Sequence, residues 1–151
     1  MAFTPADLKD PGALERVRTL FTQAPFLHHV GIGLSDVGPG WAETWLEVAP
    51  HHFQTQGFVH AGLQATMADH TGGAAAGTLV TAEQVVLAVE FKINLLRPAL
   101  GERLTCRAEV LKAGRKLMVT EARVHAHRGG ASKLVSTFTS TIAVVSGRGE
   151  A

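Results

Sequence analysis

A chain of 151 residues fits one domain with a substantial core, and 46% hydrophobic with 18% charged residues is the balance of an ordinary globular protein. A net charge of +1 supplies no global field to draw in nucleic acid or an anionic membrane. The single cysteine, Cys106, excludes an internal disulfide and any CxxC metal site. The start, MAFTPADLKD, has no basic segment followed by an apolar run, and no apolar stretch reaches the roughly 18 residues of a membrane-spanning helix. A reducing, cytoplasmic compartment is the expectation.

Pro5-Ala6-Asp7 and Asp10-Pro11-Gly12 each carry the chemistry of a helix start, because proline suits the first turn. Leu14, Val17, Leu20 and Phe21 then fall on one helical face, and Ala24-Pro25 ends the run. Phe26 to Leu34 is a short apolar stretch. Gly38-Pro39-Gly40 is a turn. Trp41 to Ala49 alternates, with Ala42, Thr44, Leu46 and Val48 on one side against Glu43 and Glu47, as a half-buried strand does. Pro50-His51-His52 stops it. The pieces flanking Gly38-Pro39-Gly40 are expected to form a hairpin.

Gly57 to Val80 then reads as a long central helix rich in Ala and Gly. Each Gly costs about 1 kcal/mol relative to Ala inside a helix, so tertiary packing must hold this one. Its small residues predict close approach to a sheet. Asp69 lies among them, and a carboxylate there must be paired, exposed or functional. Four strand-like runs follow. Val85 to Leu95 places Leu87, Val89, Phe91, Ile93 and Leu95 on one face. Arg103 to Lys112 points Leu104, Cys106, Ala108 and Val110 inward. Lys116 to His127 and Lys133 to Val145 complete the set, separated by Lys112-Ala113-Gly114-Arg115 and Arg128-Gly129-Gly130 turns. The tail, SGRGEA, is expected to fray. One long helix before a run of antiparallel strands predicts an α+β fold, with residues 1–151 forming a single domain.

Gln54, Gly57, His60-Ala61-Gly62, Asp69 and the later segment Val89 to Ala99 (VEFKINLLRPA) together resemble the hotdog-fold acyl-CoA thioesterases of the phenylacetate-degradation (PaaI-like) type. The resemblance runs from about Phe26 to Val145. It implies an antiparallel sheet wrapped around the long helix, hydrolysis of an acyl- or aryl-CoA thioester, and no metal or redox cofactor, CoA being part of the substrate. By the same resemblance the Ala61 N–H donates to the developing oxyanion and Asp69 acts as general base or nucleophile. Gln54, His60 and Gly62 complete the catalytic set, with Gly57, Arg97, Arg115 and Lys116 on the substrate. It further implies a site shared across a homodimer or homotetramer. Three residues depart from the family pattern: Ala61 replaces the first Gly of the usual pair, Gln54 stands for the commoner Asn, and Ala88 lies where some relatives carry Ser. The spacing suits the chemistry on its own terms, since a helix start offers free N–H groups and a positive dipole end. Asp69 follows Ala61 by eight residues, about two turns, so both are expected to address one cavity. Two alternatives remain: a hotdog hydratase or dehydratase, and a non-catalytic acyl-CoA or small-ligand binding module.

The remaining candidates read more plainly. His125 and His127 share a strand face with no third metal ligand in view. His28-His29 and His51-His52 read as loop or interface residues, His70 as a packing or interface histidine, and Cys106 as inert core. Arg115-Lys116 occupies a turn, either solvated or near the CoA phosphates.

Overall fold

The computed structural model describes residues 2–147; positions 148–151 of the tail expected to fray lie outside them. The alternating runs become strands β1 (Ile32–Gly38), β2 (Trp41–Glu47), β3 (Gln84–Leu95), β4 (Arg103–Ala113), β5 (Leu117–Arg128) and β6 (Ala131–Ser146). They pair antiparallel into one sheet of order β1-β2-β4-β5-β6-β3. The expected hairpin is present: β1 and β2 close from Ile32 opposite Leu46 to Gly38 opposite Trp41. Gly40 turns it in the left-handed region, φ 73°, where a side chain would be strained. Its close neighbour Phe3 leaves no room for a Cβ either.

The sheet wraps helix α3 (Ala61–Gly77), which packs on β2, β3, β4, β5 and β6. Its buried side carries Leu63, Gln64, Met67, Ala68, Thr71, Gly72, Ala75 and Ala76, a stripe at helical spacing. Small residues there set the approach distance. A Cβ on Gly72 would stand 2.9 Å from the Thr120 Oγ1 atom. Facing residues from β2, β4, β5 and β6, among them Leu46, Leu104, Cys106, Met118 and Phe138, complete the core. Four hydroxyls inside it are paired, Thr44 with Thr71 at 2.8 Å and Thr120 with Ser140 at 2.7 Å, as burial favours, while the buried Ser136 hydroxyl has no partner among the described residues. Cys106 belongs to this core, and burial pushes its thiol up to about 12. No helix among the described residues is long and apolar enough to cross a membrane.

Four local expectations need correcting. The N-terminal amphipathic run is α1 (Ala13–Thr22), but its buried residues are Ala13, Val17 and Phe21, while Leu20 is 59% exposed. Pro25 does not merely end α1: it opens a second short helix, α2 (Pro25–Val30), at the position where its missing N–H is harmless. Gly31, at φ 77°, terminates α2 and releases the chain into β1. The central helix begins at Ala61 rather than Gly57. Before it, Gln54 to Phe58 forms a tight turn, with the Gly57 N–H donating to the Gln54 carbonyl at 2.9 Å and Gly57 at φ 81°. Lastly, β3 does not present one apolar face. A bulge between Ala88 and Glu90 puts Leu87 opposite Ala143 and Phe91 opposite Ser140, so the two lie on opposite faces of the sheet.

Candidate active site

The turn at Gln54 to Phe58 delivers the chain into α3 with His60 as N-cap. The His60 Nδ1 atom accepts the Gly62 N–H at 2.8 Å, which leaves the proton of the neutral ring on Nε2. Gly62 therefore spends its N–H on the cap. Ala61, the first helical residue, keeps an N–H with no partner among the described residues, at the positive end of a 17-residue helix. It faces a cavity of about 870 Å³ whose walls include Gln54, His60, Gln64, Leu96 and Arg97. Gln54 holds its side-chain carbonyl within its own turn, accepting the Gln56 N–H at 2.7 Å. Gly57 shapes that turn from outside the cavity lining.

Asp69 is not in this cavity. It lines a separate one of about 340 Å³ with Phe21, His70, Gly73, Ala74, Ala88 and others. Eight residues of helix separate it from Ala61 by about 12 Å along the axis, and the turn angle aims it at another side. Within one chain the expected shared cavity is therefore split in two. Burial raises the Asp69 carboxyl above the usual carboxylate range, with His70 opposing weakly. The same burial lowers His70, against the pull of Asp69. Its ring stands edge-on to Phe21, centroids 5.2 Å apart at 80°, which is the packing role expected of it.

The two cavities lie at opposite ends of β3. Val86, Leu87 and Ala88 border the Asp69 cavity, while Leu95 and Leu96 border the Ala61 cavity. Arg97 follows the second end, its Nη1 donating to the Leu134 carbonyl at 2.7 Å. Arg115 and Lys116 sit at the first end, where the Val144 N–H donates to the Lys116 carbonyl at 2.8 Å; neither lines either cavity.

Two groups of residues escape a reading by sequence. Gln64 is 3% exposed, donates to the Val59 carbonyl at 3.2 Å, and has a buried Oε1 with no partner among the described residues. Its position four residues after His60 was the only signal. Arg128 and Lys133 join Arg97 around a cavity of about 370 Å³. They lie at the end of β5 and the start of β6, either side of the Gly129-Gly130 turn, and only the sheet register brings them beside Arg97. His127 is held by the Thr105 hydroxyl at 2.8 Å, and the described residues contain no cluster of three metal-type ligands.

The model of the thioesterase superfamily matches residues 56–132. A thioesterase family protein from Silicibacter pomeroyi is 38% identical, with a TM-score of 0.88 over 90% of this chain and 100% of that one. A 1,4-dihydroxy-2-naphthoyl-CoA hydrolase of Listeria monocytogenes is 27% identical over 76% of this chain and 91% of its own. A variant of the phenylacetic acid degradation protein PaaI from Thermus thermophilus is 27% identical, with a TM-score of 0.69 over 80% and 98% of the two chains. With helix α3 wrapped by a six-stranded antiparallel sheet, the chain belongs to the thioesterase superfamily, as a hotdog-fold thioester hydrolase of the PaaI-like type.

Proposed function

We propose that this protein hydrolyses acyl-CoA thioesters at sites assembled from two copies of the chain. One observation carries the reading. The Ala61 N–H and the Asp69 carboxylate open into different cavities at opposite ends of an edge strand. On β3 and just after it, Leu87, Val89, Phe91, Leu95 and Leu96 are 48 to 58% exposed. An apolar edge of this kind invites another strand. Two-fold pairing of β3 with its own copy runs antiparallel. The Asp69 end of one subunit then lies beside the Ala61 end of the other.

A thioester held across that junction places its carbonyl oxygen on the Ala61 N–H of the partner subunit, where the helix start stabilises the oxyanion. The Asp69 carboxylate takes a proton from water as the water oxygen bonds to the carbonyl carbon, or attacks that carbon itself. The carbon–sulfur bond then breaks and the sulfur leaves as the CoA thiol after protonation; on the first route the acyl group departs directly as free acid, and on the second a water molecule hydrolyses the acyl–Asp69 anhydride to release the acid and restore the carboxylate. His60, with its proton on Nε2, and the Gln54 amide border the same cavity and serve to orient water and substrate. Arg97, Arg128 and Lys133 collect positive charge beside it for the CoA phosphates. Across a two-fold junction Arg115 and Lys116 of the opposite subunit approach the same mouth.

The test is turnover across acetyl-, medium-chain, long-chain and aryl-CoA esters, with Asp69→Asn beside the wild type. The expected result is hydrolysis by the wild type and a loss on the order of 10²–10⁴ in kcat for the variant, the range for a positioned base. KM should move little. Tight binding without turnover by the wild type would make the protein an acyl-CoA binding module instead.

A further inference from the structure

The backbone is held at every polar group just before Ala61. The Val59 N–H donates to the Ala99 carbonyl at 3.0 Å, and the His60 N–H donates to the His52 carbonyl at 2.9 Å. The His60 carbonyl accepts from the Leu63 and Gln64 N–H groups at 3.1 and 3.3 Å. The Val59 carbonyl accepts from the Gln64 Nε2 atom at 3.2 Å. The next group along the chain is the Ala61 N–H, which has no partner among the described residues. Three of these four groups are held by other backbone groups. The Val59 carbonyl alone depends on a side chain, so its bond is the one that a substitution can remove.

Gln64 is an unusual occupant of its position. It is 3% exposed and belongs to the core-facing side of α3, with Leu63, Met67 and Ala68 around it on the helix. Its Oε1 atom is buried with no partner among the described residues, a condition that folded proteins avoid. An apolar residue of the same length would spare the fold that orphan oxygen. What the glutamine does instead is grip both sides of His60. Its own N–H meets the His60 carbonyl, and its amide meets the Val59 carbonyl. The peptide unit joining Val59 to His60 is thereby fixed at both ends, by Gln64 at the carbonyl and by His52 at the N–H. The adjoining peptide unit presents the Ala61 N–H to the 870 Å³ cavity.

We propose that Gln64 is a positioning residue for the reaction: by clamping the Val59–His60 peptide it fixes the direction in which the Ala61 N–H points. The idea rests on the thioesterase reading for the chemistry it serves, while the clamp itself is a claim about structure. Gln64 acts through Ala61 and not on the substrate, because its side chain is buried. A reacting group displaced by about 1 Å can cost on the order of 10² in rate.

The test is Gln64→Met, which keeps the length of the side chain and removes the amide. On the CoA ester that the wild type hydrolyses fastest, kcat should fall about 10- to 100-fold with KM little changed. Adding Gln64→Met to Ala61→Pro should cost nothing further, since no Ala61 N–H is left to position. Amide hydrogen exchange at His60 should quicken at least tenfold while the amides of β4 and β5 keep their rates. The melting temperature should stay within a few degrees, because one neutral bond and one unpaired buried oxygen are lost together. Gln64→Glu is the second variant, for the case in which methionine is not tolerated. Its neutral acid can donate to the Val59 carbonyl and its carboxylate cannot, so its kcat relative to the wild type should fall as pH rises. An unchanged kcat in Gln64→Met, or a full additional loss in the double variant, would overturn the positioning role. Unchanged exchange at His60 would overturn the clamp. Faster exchange at His60 in a protein that binds CoA esters without turnover would retain the clamp and reject only the hydrolase.

Discussion

Ala61 and Asp69 show how little of a site is side-chain chemistry that a sequence displays. The oxyanion donor proposed here is a backbone N–H, and what frees it is the neighbouring cap: the His60 imidazole takes the Gly62 N–H and leaves that of Ala61 unclaimed. The point admits a clean test. His60 has φ −58° and ψ 138°, an extended conformation that tolerates a following proline, and proline is at home at the first helical position. Ala61→Pro should therefore fold with an unchanged melting temperature while losing about 10²–10³ in kcat, the worth of one oxyanion donor. An unchanged kcat would remove Ala61 from the mechanism. Asp69 carries its own signature. Burial raises its carboxyl, so the folded protein holds that proton more tightly than the unfolded chain does. Its contribution to stability is present while it is protonated and is lost as pH rises through the folded value. Two consequences can be measured together. The activity of the wild type should climb with pH along a limb lying above the usual carboxylate range, since the ionised form is required. At neutral pH, Asp69→Asn should melt no lower than the wild type, because it removes a buried charge. A lower melting temperature with retained activity would make Asp69 structural.

At the scale of elements, strands with strict alternation were legible and the two edges of legibility have physical causes. β2, β4 and β5 announce their inward residues because one face is buried and the other solvated. In β3 the apolar residues recur on odd positions through Leu95, yet the bulge at Val89 moves Leu87 to the other face; a bulge leaves no mark on alternation alone. Helix α3 was legible as an element but not as a surface. Alanine and glycine lie on both its sides, so composition could not say which side meets the sheet and which lines the cavity with Asp69, Gly73 and Gly77. The helix α2 was missed because Pro25 reads equally as an end and as a beginning. The exposed edge of β3 supplies the prediction at this scale. Val89→Lys places a charge on that edge, the device by which sheets refuse new strands. Light scattering should show the variant shifted to monomer and assays should show activity lost with it, while an intact, active dimer would move the interface elsewhere.

For the whole molecule, assembly and catalysis become one question. Residues that the chain keeps about 12 Å apart on one helix face different cavities, and in the proposed two-fold dimer a second copy would bring the two kinds of cavity together. That relation was available in the sequence solely through family resemblance, because no spacing within one chain encodes which residues meet across a two-fold axis. The most direct measurement is therefore subunit mixing. Asp69→Asn and Ala61→Pro, each nearly inactive as a homodimer, are co-expressed with different tags and the mixed dimer is isolated. If each site takes Asp69 from one subunit and Ala61 from the other, one site of the mixed dimer carries both defects and the other carries none. The isolated hybrid should then recover about half of wild-type kcat per dimer. If both groups serve the same chain, every site in the hybrid carries one defect, and a hybrid as inactive as its parents would contradict the shared site.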